Sequence, residues 1–202
     1  MIFGVTGGIA TGKSTVMRLL SLRGVIVFSA DEAAKAILSP GGKTLLAIKQ
    51  VFGKEVFTPK GSLDRKLLAK RIFAEPEMRL QLERITHPPL LALLRAQITL
   101  EQWETFPSKM IAVEVPLLFE TNLEGWFDQI IVVETSLRVQ RERLQQRNHL
   151  SDREIESRLS AQMPLSEKIK RADVVFSNET TPEDLQKKVD QFLQIRVNLR
   201  EN

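Results

Sequence analysis

A glycine-rich segment near the start of the chain constrains its fold more than any other feature. Residues 7–14 read Gly-Gly-Ile-Ala-Thr-Gly-Lys-Ser and match the pattern G-x-x-x-x-G-K-[ST]. The apolar run at residues 2–6 predicts a strand before the segment. Apolar residues at helical spacing predict a helix after it (Val16, Met17, Leu19 and Leu20). A strand, a glycine-rich loop and a helix in this order are typical of a P-loop.

The chemistry of such a loop predicts which residues bind a nucleoside triphosphate. Successive backbone N–H groups point at phosphate oxygens, and the helix start adds partial positive charge. We expect Lys13 to reach the β- and γ-phosphates and the Ser14 hydroxyl to ligate Mg²⁺. The alternative is an ordinary glycine-rich turn. The predicted loop contacts are Gly8, Ile9, Ala10, Thr11, Gly12, Lys13, Ser14 and Thr15.

Composition narrows the class of protein further. The 202 residues, 43% of them hydrophobic, suit one compact domain or a core with insertions. The chain has no cysteine, which excludes disulfides, thiol catalysis and Cys-ligated zinc. No apolar run reaches membrane-spanning length, and no secretory signal pattern is present. We therefore expect a cytoplasmic protein without a membrane partner, and a monomer is favoured.

Positive charge is concentrated in one segment. Residues 136–171 hold nine basic and five acidic residues, and this excess equals the net charge of +4 of the whole chain. A local basic segment suits an anionic small ligand better than nucleic acid, which usually requires a broader basic face. The alternative is a solvated helical face. We expect no nucleic-acid partner.

The order of strand-like and helical runs predicts an α/β fold. Near-continuous apolar runs rich in Val and Ile indicate strands buried on both faces of a parallel sheet. They lie at residues 2–6, 25–28, 110–115, 130–133 and 174–176. About eighty residues between the second and third runs read as helical, with breaks predicted at residues 40–42, 59–61 and 88–89. This region is interpreted as an inserted helical subdomain for a second substrate.

Three carboxylates are candidates near the phosphates, because ligands bind at the carboxyl ends of strands in open α/β sheets. Asp31 follows the second strand and is a candidate general base, or alternatively a helix N-cap. Glu114 ends the third strand and is a candidate Mg²⁺ ligand, or alternatively a buried charge in an ion pair. Glu120 is a weaker candidate.

Basic and polar residues complete the set of candidates. Helical spacing places Gln140, Arg143 and Arg147 on one face, where the arginines can stabilise a transferring phosphoryl group. Arg65 is a candidate for a phosphate of the second substrate, and His87 for a hydrogen bond to it. For His87 alone a structural role is the simpler interpretation. No [NT]-K-x-D motif follows the P-loop, so a GTPase switch is not expected.

Several of these segments together resemble one family. In addition to the P-loop and Ala30-Asp31, the chain contains Ser62-Leu63-Asp64-Arg65, Thr86-His87-Pro88 and Pro116-Leu117-Leu118-Phe119-Glu120 in this order. Further matching positions are Gln140, Arg143, Arg147, Gln162, Lys168, Asp173 and Asn178. The chain resembles dephospho-CoA kinase, the last enzyme of coenzyme A synthesis, nearly from end to end.

The resemblance implies a fold, a reaction and a set of sites. It implies a P-loop kinase core at residues 1–30, 109–135 and 172–202, a helical substrate domain at 31–108 and a lid at 136–171. It implies phosphorylation of the ribose 3′-hydroxyl of dephospho-CoA by Mg·ATP, giving CoA and ADP. Asp31 matches the proposed base, Asn178 a nucleotide contact, and Asp31, Arg65, His87 and Pro116 the substrate positions.

The chain departs from the family pattern at a few positions, and two alternative functions stay open. The family usually has Asp where Ser29 stands and Asp where Glu114 stands, and often Gly and Ser at Ala10 and Thr11. One alternative is another small-molecule P-loop kinase that acts on a nucleoside or nucleotide. The other is an ATP-binding regulatory protein without phosphoryl transfer, which Ser29 alone favours.

Overall fold

The computed structural model has the predicted α/β architecture. It describes residues 1–104, 110–148, 150–179 and 181–201, and their side chains except at 73, 74, 76, 103, 104, 147, 148 and 198–201. The five strands are β1 (Ile2–Gly7), β2 (Ile26–Ser29), β3 (Ile111–Glu114), β4 (Gln129–Glu134) and β5 (Val174–Ser177). Each coincides with a predicted apolar run to within a few residues.

The five strands form one parallel sheet in the order β2-β3-β1-β4-β5. Strand β1 is central and is flanked by β3, where Val5 faces Glu114, and by β4, where Gly7 faces Val133. All carboxyl ends therefore lie along the same edge of the sheet. The chain enters the P-loop from the middle of that edge, the usual place for a ligand in a parallel sheet.

Helices follow the strands in the expected alternation. In the first of two compact units, Met1–Ser29 with Thr105–Asn202, the helices are α1 (Lys13–Ser21), α6 (Leu137–Asn148), α7 (Asp152–Ser160), α8 (Leu165–Lys170) and α9 (Pro182–Glu201). In the second, Ala30–Glu104, they are α2 (Ala30–Ile37), α3 (Lys43–Phe52), α4 (Arg65–Ala74) and α5 (Pro76–Glu104). A short 3₁₀ helix spans Glu124–Trp126.

The core of the first unit lies between the sheet and helices α1 and α9. Aromatic rings fill its centre: the ring centroid of Phe192 lies 5.1 Å from that of Phe3 and 5.5 Å from that of Phe176, both edge-to-face. Aliphatic side chains from three strands and both helices surround them (Val5, Val16, Leu20, Ala112, Ile131, Val133, Leu185 and Val189). This packing fixes the start of α1 against the end of β1.

The second unit is a helical assembly with its own core. Ile48, Phe52, Val56 and Leu68 are buried at its centre. The predicted breaks at residues 40–42 and 59–61 are confirmed, since both segments lie between helices. Asp64 is the N-cap of α4, and its carboxylate accepts hydrogen bonds from the backbone N–H groups of Lys66 and Leu67, both at 3.0 Å.

The predicted break at Pro88-Pro89 is wrong. Helix α5 runs through both prolines without interruption. Each proline removes a backbone donor and costs about 3 kcal/mol in a helix interior. Packing compensates for this cost, because apolar side chains of α5 are in the core before the prolines and buried after them (Met78, Leu82, Ile85, Leu94 and Ile98).

Two further observations bear on the sequence predictions. Within the described part of the chain, no helix combines the length and the apolar character needed to cross a membrane. The predicted boundary between the helical substrate domain and the core, at residues 108 and 109, lies outside the described residues. The proposed lid at 136–171 stays a prediction; in the structure its residues are part of the first unit.

The aromatic cluster gives a stability prediction. We expect Phe192→Ala to lower the free energy of unfolding by about 3–5 kcal/mol, because it removes a buried ring and leaves a cavity. Leu22→Ala is the matched control, since Leu22 is 73% exposed and its loss should change stability by less than about 0.5 kcal/mol. Urea unfolding measures both. A loss below about 1 kcal/mol for Phe192→Ala would contradict the described core.

Candidate nucleotide-binding site

The P-loop begins where β1 ends and requires glycine at two positions. A Cβ on Gly7 would lie 2.2 Å from the carbonyl oxygen of Val133 on β4, so only glycine permits this strand pairing. Gly12 has a φ of +99° and is the N-cap residue of α1. A Cβ there would meet the Asn178 amide nitrogen at 2.1 Å. The left-handed backbone therefore strains any side chain at Gly12, and a Cβ there would also displace the Asn178 amide.

Lys13 lies with its ammonium group against the loop. The side chain is buried, and Nζ donates hydrogen bonds to the carbonyl oxygens of Gly8 at 2.8 Å and Gly7 at 3.3 Å. The Thr11 hydroxyl donates to the same Gly8 carbonyl at 2.9 Å. A cation at the inner side of a glycine-rich loop, beside the start of a helix, is an arrangement that binds phosphate oxygens.

Three side chains from distant parts of the first unit hold the loop from outside. Gln162 accepts a hydrogen bond from the Ile9 N–H through Oε1 at 2.9 Å. Arg143 donates from Nη1 to the Ala10 carbonyl at 3.0 Å, and Asn178 donates from Nδ2 to the Thr11 carbonyl at 2.8 Å. Because the N–H and C=O of a trans peptide point in opposite directions, the last contact turns the Gly12 N–H away from Asn178. These contacts hold the backbone of the loop in one conformation.

The two predicted metal ligands both carry hard oxygen donors. Ser14 is exposed in the first turn of α1. Glu114 is the last residue of β3, with Val5 of β1 and Ser29 of β2 as its neighbours in register. Among the described residues, no three His, Cys, Asp or Glu side chains are grouped to hold a metal ion. Mg²⁺ commonly takes only a few ligands from the protein, such as one hydroxyl and one carboxylate, and takes the others from phosphates and water.

The three candidates on α6, two arginines and one glutamine, differ in what the structure shows of their contacts. Arg143 lies at the P-loop and also donates from Nη2 to the Asn178 carbonyl at 3.4 Å. Gln140 is buried, and its Nε2 donates to the Thr135 carbonyl at 3.1 Å, so it anchors α6 to the end of β4. The side chain of Arg147 lies outside the described residues. The sequence predicts Arg143 near the phosphates but does not predict its contacts to the backbone carbonyls of Ala10 and Asn178.

An ion pair joins the loop after β3 to helix α8, and no sequence pattern indicates it. Lys168 on α8 is fully buried, and its Nζ lies 2.9 Å from Oε1 of Glu120. The same Nζ donates to the Pro116 carbonyl at 2.9 Å, and the Thr6 hydroxyl donates to that carbonyl at 3.2 Å. Pro116 therefore contributes its carbonyl to this network. Lys168 and Gln162 could be found only through the family resemblance, because composition and periodicity do not distinguish them.

The ion pair also shifts a pKa. Burial of the Glu120 carboxylate raises its pKa, but hydrogen bonds from Lys168 and from the Met163 N–H lower it by more. The pKa of Glu120 in the folded protein is therefore below its ordinary value. Glu120 remains ionised beside Lys168 at neutral pH.

The remaining substrate candidates belong to the second unit. Asp31 is exposed in the first turn of α2, which begins at Ala30, so Asp31 lies within the helix rather than before it. Arg65 is the exposed first residue of α4. His87 is half-buried in α5, next to Pro88.

Gly12 provides a direct test of the loop. We expect Gly12→Ala to weaken Mg·ATP binding by at least about tenfold, because it combines a left-handed backbone with a clash against Asn178. Gly24→Ala is the matched control: Gly24 has a φ of +82° and nothing within 4 Å of its Cβ position. It should cost about 1–2 kcal/mol of stability while binding is kept. Titration calorimetry measures both variants, and undiminished binding by Gly12→Ala would contradict the site.

Glu120 provides a pH-dependent test. Because its pKa is lowered on folding, its ionised form contributes stability above the unfolded value of about 4.5, and this contribution is lost as pH falls through the folded pKa. We expect Glu120→Gln to be less stable than the natural chain at pH 7 by about 1–3 kcal/mol. The difference should shrink as the pH is lowered below 4.5. Urea unfolding across this range measures it, and a pH-independent difference would contradict the assignment.

Comparison with known proteins shows which family the chain is similar to. The model of the dephospho-CoA kinase family matches residues 1–184. A dephospho-CoA kinase from Anaeromyxobacter dehalogenans is 44% identical over 192 residues, 95% of this chain and 90% of that relative. A crystal structure from Thermus thermophilus is 34% identical, with a TM-score of 0.84 and 96% of each chain covered. The dephospho-CoA kinase from Campylobacter jejuni is 29% identical, with a TM-score of 0.65 over 96% of this chain and 95% of that one.

The family match covers most of the chain, and the relatives are matched over nearly their whole length. The same residues that match the P-loop pattern form the glycine-rich loop and the start of α1 described above. The resemblance stated from the sequence is confirmed, as is the P-loop kinase fold. The chain therefore belongs to the dephospho-CoA kinase family, and it is an enzyme of the kinase class.

Proposed function

We propose that this chain binds the triphosphate of ATP on its P-loop and transfers the γ-phosphoryl group to the ribose 3′-hydroxyl of dephospho-CoA. The products are CoA and ADP. The observation that carries the proposal is the position of Lys13, whose ammonium lies against the Gly7 and Gly8 carbonyls. From there its charge can reach the β- and γ-phosphates, the role of lysine in such loops.

Asp31 is proposed as the residue that receives the proton of the acceptor hydroxyl. The oxygen of the 3′-hydroxyl attacks the γ-phosphorus, the bond to the β-phosphate oxygen breaks, and ADP leaves. A carboxylate that accepts the hydroxyl proton makes this oxygen a better nucleophile. Asp31 is exposed in the first turn of α2. Arg65, His87 and Pro116 are proposed to bind dephospho-CoA.

Positive groups are proposed to neutralise the charge of the group in transfer. Lys13 and Arg143 both lie at the P-loop, and Arg147 is expected to assist from the same helix as Arg143. Asn178 is proposed to contact the nucleotide as well as the loop. Residues 136–171 are proposed to act as a lid that excludes water, which would otherwise accept the phosphoryl group.

Mg²⁺ is proposed to be held by Ser14 and Glu114. Their donor set fits the ion, because both side chains supply hard oxygen atoms. Glu114 lies at the carboxyl-end edge of the sheet, and Ser14 lies in helix α1, which follows the P-loop. When bound, the ion neutralises charge on the β- and γ-phosphate oxygens. Glu114 carries one methylene more than the Asp that is usual in the family. A cytoplasmic location and a monomeric state remain predictions.

The reaction is tested by measuring ADP formation from Mg·ATP with dephospho-CoA, adenosine, AMP, shikimate or no acceptor. We expect dephospho-CoA alone to stimulate ADP formation, with a product of the mass of CoA in equal amount. Lys13→Ala, as the negative control, should lose at least about a thousandfold in turnover, since it removes the charge at the transferring group. Stimulation by another acceptor would support a different P-loop kinase. ATP binding without transfer to any acceptor would support the regulatory alternative.

Asp31 is tested by a variant that preserves its shape. We expect Asp31→Asn to lower kcat by about 10²–10⁴-fold, because the amide does not accept the proton. The Kd for Mg·ATP should stay within about twofold, since binding on the P-loop does not depend on the base. The neighbouring exposed carboxylate supplies the control Glu32→Gln, which should keep kcat. Steady-state kinetics and titration calorimetry measure these effects, and an unchanged kcat in Asp31→Asn would refute this role.

A further inference from the structure

The peptide group between Gly8 and Ile9 is held at both ends. Its carbonyl oxygen accepts hydrogen bonds from Lys13 Nζ at 2.8 Å and from the Thr11 hydroxyl at 2.9 Å. Its N–H donates to Gln162 Oε1 at 2.9 Å. A rotation of this peptide would present an N–H instead of a carbonyl to the Lys13 ammonium. Gln162 thus stabilises the orientation in which the peptide holds the lysine in place.

The position of Gln162 is itself fixed. It lies in the turn that ends α7, and its own N–H donates to the Leu159 carbonyl at 3.4 Å. The N–H of the next residue, Met163, donates to Glu120 Oε1 at 2.9 Å. Glu120 in turn pairs with the fully buried Lys168. An ion pair is therefore connected to Gln162 through one backbone hydrogen bond.

Four residues form this set: Gln162, Met163, Glu120 and Lys168. These residues join four segments of the first unit, namely the turn after α7, helix α8, the loop after β3 and the P-loop. The Lys168 contact to the Pro116 carbonyl extends the set to β1, because Thr6 donates to the same carbonyl. The P-loop and the segment after Glu114 are thus held in one hydrogen-bonded network.

The chemistry of Gln162 suits a contact beside a triphosphate. A carboxamide oxygen accepts the Ile9 hydrogen bond without carrying a net charge. A carboxylate at the same position would repel phosphate oxygens and compete with them for Lys13. Methionine would keep the length of the side chain but offer only a weak acceptor. These differences make the contact testable by substitution.

We propose that Gln162 is a positioning residue for phosphoryl transfer: through the Gly8–Ile9 peptide it keeps Lys13 aligned for the γ-phosphoryl group, and Glu120 and Lys168 hold Gln162 in place. This inference rests on the proposed function for its effect on turnover. The contact itself is a property of the protein without ligands. The two parts are therefore tested by separate measurements on the same variants.

The first measurement is amide hydrogen exchange at Ile9, followed by NMR in the full chain without ligand. We expect Gln162→Met to accelerate exchange at Ile9 by at least about tenfold, because the amide loses its acceptor. Gln162→Glu keeps an acceptor oxygen and should retain slow exchange. Gln191→Met, at an exposed position on α9, should leave exchange at Ile9 unchanged. Equal exchange in Gln162→Met and the natural chain would overturn the contact.

The second measurement is the steady-state rate with Mg·ATP and dephospho-CoA. We expect Gln162→Met to lower kcat about tenfold, with the KM for dephospho-CoA within about twofold and the melting temperature nearly unchanged. A merely structural role would instead lower the melting temperature and leave kcat per folded molecule unchanged, and this result would overturn the positioning role. Absence of transfer by the natural chain would contradict the proposed function, and exchange at Ile9 would still support or overturn the contact.

Discussion

The hydrogen bonds that fix the peptide groups of the P-loop are the interaction on which the rest of the site depends. Glycine gives this loop its shape, but glycine also leaves it free to adopt others. Gln162, Arg143 and Asn178 remove that freedom by binding the Ile9 N–H and the Ala10 and Thr11 carbonyls. Preorganised donors stabilise developing charge at no cost of rearrangement during the reaction.

The sheet and its core supply the frame for these contacts. Strand β1 lies between β3 and β4, so the P-loop, Glu114 and the start of α6 arise from the same edge of the sheet. Packing of α1 and α9 on the sheet holds the helix that begins at Lys13. The fold thus brings a cation, a hydroxyl and a carboxylate to one edge, and the ion pair between the buried Lys168 and the half-buried Glu120 holds the loop that follows β3.

The parts of the structure that depend on local sequence could be predicted, and those that depend on distant contacts could not. The strands and the P-loop follow from continuous apolar runs and from one motif. The contacts of Gln162 and Asn178 join residues 153 and 167 positions apart, so no local pattern reports them. Pro88 and Pro89 show the reverse case: a strong local signal for a break is overridden by packing on both sides.

The most direct test is a crystal structure of the chain with Mg²⁺, a non-hydrolysable ATP analogue and dephospho-CoA. We expect the β- and γ-phosphates to lie against the backbone N–H groups of the P-loop, with Lys13 Nζ on a phosphate oxygen. We also expect the Ile9 N–H to remain bound to Gln162 and the ribose 3′-hydroxyl to lie within hydrogen-bond distance of the Asp31 carboxylate. A triphosphate bound away from the P-loop, or a 3′-hydroxyl that faces a different carboxylate, would contradict it.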